Sequence, residues 1–226
     1  MILGEATWIE LGHAAGLVLV VPLGSTEQHG PHLPLSTDTD VAAAVAHRAA
    51  ASRPDVVVAP ALPYGSSGEH AGFPGTLSIG QDALEHVLVE LVRSADAFAG
   101  VVLASGHGGN AEPIARAARA LQAEGRRVEP WVASGYVDAH AGRTETSLLL
   151  ALEPSLVRLD AAEPGDIRPI AELLPALRAG GVQAVVANGI LGDPTGATAA
   201  EGEAMLDALV IDLLATIDRL RVPTDA

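Results

Sequence analysis

Five side chains able to bind a metal ion or carry a proton crowd the stretch VLVVPLGSTEQHGPHLPLSTDTD, residues 18–40: Glu27, His29, His32, Asp38 and Asp40. Carboxylate and imidazole are the donors that divalent transition-metal ions take. Two later segments add to the set, SGHGGN with His107 and SGYVDAHAGRTETS with His140 and Glu145. Hydrolysis at a pair of metal ions needs several carboxylates and imidazoles, one carboxylate joining the ions. The ions polarise a scissile carbonyl and lower the pKa of a bridging water. Glu27 and His29 are two residues apart, so an extended segment projects both to the same side. Taken singly, each residue reads as a solvated surface group or a loop anchor. Three clusters together favour a metal site.

The hydrophobic pattern predicts the elements that must position these residues. Residues 17–23 read as a buried strand ended by Gly24. Pro22, Pro31, Pro34, Gly24 and Gly30 exclude a continuous helix, so the first cluster lies on an irregular segment just after that strand. Residues 41–51 read as a helix, with Asp40 as the expected cap. A short strand follows at 56–59, then a glycine- and proline-rich segment, 60–80, of a length that is usually functional. Helical spacing covers 81–98. A third strand at 101–104 leads through SGHGGN into a helix over 112–124. A fourth strand, 127–132, precedes the third polar segment and a helix over 144–152. Residues 153–175 are acidic and proline-interrupted, and are expected to be surface excursions. A glycine-rich loop, 187–198, precedes a last helix burying Leu206, Leu209, Val210, Leu213, Leu214 and Ile217. Strands alternating with helices predict an α/β layered domain with a mostly parallel sheet, one domain over 1–226. Parallel connection brings the three polar loops to one sheet edge, where ligands of such sheets bind.

Composition narrows the function. Of 226 residues nearly half are apolar, so a sizeable core is expected. The net charge of −15 argues against nucleic acid or an anionic membrane as partner. The absence of cysteine excludes disulfides, zinc ribbons and thiol nucleophiles. The early apolar run, 14–23, is too short to span a bilayer. No signal-peptide pattern is legible, and a cytoplasmic protein is expected. A rival reading comes from Gly106, Gly108 and Ala111, which match G-x-G-x-x-A between a strand and a helix. Glu129 stands about where a ribose-binding acid of a dinucleotide site would. That reading leaves the Glu27 to Asp38 cluster unexplained. His13, His47 and His86 receive no function. His32 and His70 lie nearer the polar loops, with contact to ligand residues or substrate weighed against a purely structural role.

Taken in order, GSTEQHGPHLP, the STD that follows it, GHGGN and HAGRTETS resemble the signature of the creatininase (creatinine amidohydrolase) family, from TWIEL to the last helix. The resemblance implies a three-layer α/β/α sandwich, two divalent metal ions per subunit, hydrolysis of amide or cyclic amide bonds, and homo-oligomers, with a hexamer among the forms. By position it implies Glu27 and His107 as ligands of one ion, His29 of the other, Asp38 as the bridge, and His140 as the catalytic histidine. Creatininase carries a glutamate ligand where this chain has Gly109. Glu145 is the candidate to take its place, as ligand, as catalytic base, or both. Tyr136 stands where creatininase has a tryptophan that shapes the creatinine pocket. Zinc, iron and manganese suit such ligands alike. The middle loop PYGSSGEHAGFPGTLSIG, the HGGN turn and GILGDPTGAT, with Glu201 and Gly202 after it, are similar to the mycofactocin-maturation branch. That branch releases the modified C-terminal valine–tyrosine dipeptide from a precursor peptide. The alternative within the family is a cyclic amide or formamide substrate.

Overall fold

Apolar residues two apart along each strand divide between two faces, and both faces are covered. In the computed structural model, which describes residues 1–220, four strands form one sheet: β1 (Val18–Leu23), β2 (Val56–Val58), β3 (Gly100–Ser105) and β4 (Val128–Val132). Their order is β2-β1-β3-β4 and every neighbouring pair is parallel. Val18, Val20, Val56, Val58, Val102, Ala104 and Trp131 point to one side. There they meet α1 (Thr37–Ser52), α4 (Arg143–Leu152) and α6 (Ala199–Arg219). Leu19, Val21, Val57, Val101, Leu103 and Val128 point to the other, against α2 (Gln81–Arg93) and α3 (Ala111–Ala123). The architecture is the expected three-layer α/β/α sandwich. Sheet residues packed on both faces explain why β1, β2 and β3 read as apolar runs.

The register aligns the exits of the strands. Leu23 pairs with Ser105, and Ser105 with Val132, so the loops after β1, β3 and β4 leave the same edge at matched heights. On α6 the stripe Leu206, Leu209, Leu213 and Ile217 is buried as the periodicity predicts, with Val210 and Leu214 partly buried beside it.

Three expectations need correction. Helix α1 starts four residues earlier than the apolar pattern indicates, at Thr37, so Asp38 and Asp40 lie in its first turn. The residue before the helix is Ser36, and Asp40 is not a cap: its carboxylate accepts the Ser36 hydroxyl at 2.7 Å. Helix α2 stops at Arg93 rather than at 98, although Phe98 still packs under the sheet. Residues 153–175 are not only surface excursions. A helix, α5 (Ile170–Val185), runs through Pro175 and kinks at Gly181, whose φ of 70° and ψ of −172° are not helical. Proline and paired glycines ordinarily break helices, which hid this element in the sequence. Its Leu173 and Val182 bury against Leu191, where they hold the helix over the loop edge of the sheet.

Candidate metal centre

Each polar side chain is delivered by a loop at that edge. Glu27 and His29 follow β1, and Asp38 enters from the first turn of α1. His107 follows β3, while His140 and Glu145 come from the segment after β4 and from α4. All six are buried, with Glu27 and His29 wholly inaccessible. Asn110 ties the loops together. Its side-chain oxygen accepts Ser66 N–H at 2.9 Å, and its amide nitrogen donates to Gly24 C=O and the Ser105 hydroxyl. Ala141, in the left-handed region at φ 53° and fully buried, marks a strained backbone between His140 and Glu145. Its N–H donates to Glu145 Oε2.

Donor atoms gather in three groups, each with its atoms within 4.8 Å of one another: Glu27, Asp38 and His107; His29, Asp38 and Glu145; Glu27, His29 and His140. The first two share Asp38. Its Oδ1 stands 3.3 Å from His29 Nε2 and its Oδ2 3.1 Å from His107 Nδ1, so the carboxylate faces both groups at once. The Ser25 hydroxyl holds Oδ2 at 2.7 Å.

Backbone carbonyls set the tautomers. His29 Nδ1 donates to Glu27 C=O at 3.1 Å, His107 Nε2 to Ser66 C=O at 3.0 Å and His140 Nε2 to Gln28 C=O at 2.7 Å. In each ring the other nitrogen is left bare toward the cluster, the arrangement by which a metal-binding histidine is oriented. Both oxygens of Glu27 and Nε2 of His29 are buried without a hydrogen bond. Orphaned acceptors are rare in a folded interior and call for a cation or a proton. This donor set fits a pair of divalent ions.

Electrostatics agree with that reading. Burial, helped by the Asp38 charge, pushes the Glu27 carboxyl up to about 7, against the pull of His107 and His29. Glu145 likewise rises to about 7 on burial, with His29 opposing. Burial would lower His29 and His107, yet Asp38 and Glu145 around the first, and Glu27 and Asp38 around the second, push each up to about 10. Despite burial, His29 and His107 hold Asp38 well below the usual carboxylate range. Protons are thus drawn to the places where cations would sit. His140 goes the other way, kept neutral by burial and by His29 and His70.

Sequence reasoning undervalued three residues. Gln28, one residue from each of two candidate ligands, donates its amide hydrogens to Gly189 C=O and to His70 Nδ1, both at 2.9 Å. That bond puts the His70 hydrogen on Nε2, 3.3 Å from Glu27 Oε1. Burial, with the charges of His29 and His107, lowers the His70 pKa to about 3. Glu69, next in line, brings its carboxylate to 3.7 Å from His107 Nε2. A Cβ on Gly109 would run into His107 Nε2, lie 2.5 Å from Ser66 O and 2.7 Å from Glu69 Oε1. The middle loop fills the space a side chain at 109 would need. No spacing rule links residue 69 to residue 109, so the sequence concealed this. His32 donates from Nε2 to the Thr146 hydroxyl at 2.9 Å, buried behind the cluster.

The dinucleotide fingerprint has a different explanation. A side chain at Gly106 would collide with Asp38 C=O, so that glycine lets the loop after β3 close on α1. Glu129 is ion-paired with Arg219 at 3.2 Å.

Above the cluster lies a cavity of about 670 Å³. Asp38, His70, His107, His140 and Glu145 form part of its lining, and α5 contributes Ile170, Leu174, Leu177, Arg178 and Val182. Its size is that of a ligand site.

Known proteins match along most of this chain. The family model described as creatininase, creatinine amidohydrolase, matches residues 4–217. A protein of Mycolicibacterium smegmatis named mycofactocin precursor peptide peptidase is 52% identical over 217 residues, covering 92% of this chain and 87% of its own. The creatinine amidohydrolase of Pseudomonas putida is 34% identical over 192 residues, 70% of this chain and 74% of its own. Among solved structures, creatinine amidohydrolase (creatininase) superposes with a TM-score of 0.78 at 29% identity, covering 99% of this chain and 98% of the other. A structure described as creatininase Mn gives 0.79 at 29%, covering 98% and 99%. With the fold, the loop edge and the donor cluster all in agreement, the chain belongs to the creatininase family.

Proposed function

We infer that the protein is a metal-dependent amide hydrolase, a peptidase that releases the modified C-terminal valine–tyrosine dipeptide from the mycofactocin precursor peptide. The observation that carries the metal-hydrolase reading is the pair of donor groups joined through Asp38 at the floor of a substrate-sized cavity. The peptide substrate is supported by the 52% identity to a protein of that name.

Glu27 and His107 would hold one ion, His29 and Glu145 the other, with Asp38 between them. Zinc, iron and manganese all suit these donors. When bound, the ions supply Lewis acidity to the scissile carbonyl and make nearby water more acidic. His140 presents a bare Nδ1 and is neutral, so it can take a proton from the attacking water and deliver it to the leaving amine. The His140 Nε2–H bond to Gln28 C=O fixes the ring for that exchange. Glu145, whose carboxyl burial raises to about 7, would be the alternative base.

The chain is further proposed to act as a single domain, to form homo-oligomers with a hexamer as the family form, and to work in the cytoplasm. Trp8 and Ile9 are strongly exposed, as expected of a surface that another copy covers. No helix among the described residues is long and apolar enough to cross a membrane.

Mass spectrometry of the matured precursor after incubation with metal-loaded protein is expected to show the released dipeptide, with little turnover of creatinine. The 34% identity to a creatinine amidohydrolase favours a cyclic amide as second reading. Fast creatinine hydrolysis with an inert peptide would establish that reading instead.

A further inference from the structure

Gln28 decides which ring nitrogen of His70 carries the hydrogen. Its side-chain oxygen accepts Gly30 N–H at 2.8 Å, which orients the amide. The two amide hydrogens then go to Gly189 C=O and to His70 Nδ1, each at 2.9 Å. Gly189 has a φ of 79°, and a Cβ there would collide with the Gln28 amide, so the glycine-rich loop closes directly on this side chain. His70 Nδ1 is an acceptor, so the ring is the neutral tautomer with its hydrogen on Nε2. That N–H makes no hydrogen bond among the described residues. Glu27 Oε1 lies 3.3 Å away but accepts none, being one of the orphaned oxygens.

The His70 ring lines the cavity, with its centroid 4.4 Å from that of His140. The two rings are complementary. His140 turns a bare Nδ1 toward the cluster, and His70 offers a hydrogen. The short turn that carries His70, Gly68–His70, is held from outside by α5. A Cβ at Gly181, in the kink of that helix, would stand 2.5 Å from Glu69 C=O, and one at Gly72 would collide with the Gln183 side chain. Phe73 packs with Leu173, Val182 and Leu191. A donor fixed this firmly needs no reorganisation at the moment of reaction.

We propose that the His70 Nε2–H stabilises the oxyanion that forms when water attacks the scissile carbonyl, which makes His70 a catalytic residue beside His140. The inference rests on the metal-hydrolase reading and holds for a peptide or a cyclic amide alike. As the water oxygen bonds to the carbonyl carbon, an electron pair of the C=O bond moves to its oxygen and His140 takes a proton of the water. The His70 hydrogen stays on its ring and bonds to that oxygen. Collapse restores the carbonyl, breaks the C–N bond and sends the proton of His140 to the amine. The reacting carbonyl has to meet donor groups that include Glu27, and the His70 N–H already stands beside that carboxylate. A neutral imidazole suits the task, because an imidazolium would repel the cations such donors hold.

Nitrogen NMR of isotope-labelled, zinc-loaded protein tests the tautomer, with the His70 signal assigned by its absence from His70→Gln. A hydrogen on Nε2 and a bare Nδ1 are expected; a hydrogen on Nδ1 overturns the proposal. Kinetics test the role, on whichever of the matured precursor and creatinine the native protein hydrolyses. His70→Phe is expected to lower kcat about 100- to 1000-fold, as loss of one oxyanion donor does, with KM and metal content unchanged. His70→Gln, whose amide nitrogen can stand in for Nε2, should recover part of that loss. An unchanged kcat in His70→Phe rejects the donor and leaves the hydrolase reading intact. Loss of metal in step with kcat would make His70 a support for Glu27 and overturn the donor as well. A native protein inert toward both substrates rejects the hydrolase reading, and the donor with it.

Discussion

Asp38 reaches two sets of donors with one carboxylate, Oδ1 toward His29 and Oδ2 toward His107. Glu145 belongs to one set only. Their substitutions should therefore differ in kind. Elemental analysis is expected to give about two divalent ions per chain in the native protein, about one in Glu145→Gln and close to none in Asp38→Asn. Retention of both ions by Glu145→Gln would remove it from the ligand set. Legibility at this scale was uneven. Glu27, His29, Asp38, His107, His140 and Glu145 were visible because each is a donor residue just beyond an apolar run. His70 was visible but ambiguous, since its role depends on a bond from Gln28 that no spacing reveals. Glu69 carried no signal of its own, being one charged residue inside the long irregular segment 60–80.

The elements bring these residues together through close backbone approaches as much as through the sheet. Gly109 is the clearest case. Gly109→Ala would force a Cβ against the His107 ring and within 2.5 Å of Ser66 O. Overpacking of this kind costs ~1–3 kcal/mol. Denaturant unfolding should show that loss, and metal content should fall with it, because the ring that moves is a candidate ligand. A variant as stable and as metal-rich as the native protein would mean that the middle loop yields freely. Four strands and five of the six helices were legible from apolar periodicity. Helix α5 was not, because Pro175 and the pair Gly180–Gly181 interrupt it and much of it packs on loops instead of the sheet. The start of α1 was missed for a related reason: its first turn, Thr37 to Asp40, is polar, and periodicity registers only apolar residues.

For the molecule as a whole, buried neutral histidines link stability to acid. Burial and the His29 charge lower His32 to about 4, below its unfolded value near 6.5. A depressed pKa gives stability that is present in full above 6.5 and lost as the pH falls toward 4. The loss is about 1.4 kcal/mol per pH unit in that window. Denaturation midpoints measured from pH 7 to pH 5 should fall more steeply for the native chain than for His32→Gln. Parallel curves would contradict a neutral His32. The two unpartnered oxygens of Glu27 have the opposite sign and a different meaning. Burial raises this carboxyl to about 7, so in the absence of metal its contribution weakens as the pH rises from 4.5 through 7. Glu27→Met, stripped of metal at pH 8, is expected to withstand denaturant better than the stripped native chain by ~1–3 kcal/mol, while losing all hydrolysis. If the stripped native chain is the more stable, Glu27 has a structural partner of its own. The native sequence thus keeps a residue that harms its bare fold, and stability gained at position 27 would come at the expense of the activity the fold exists to carry out.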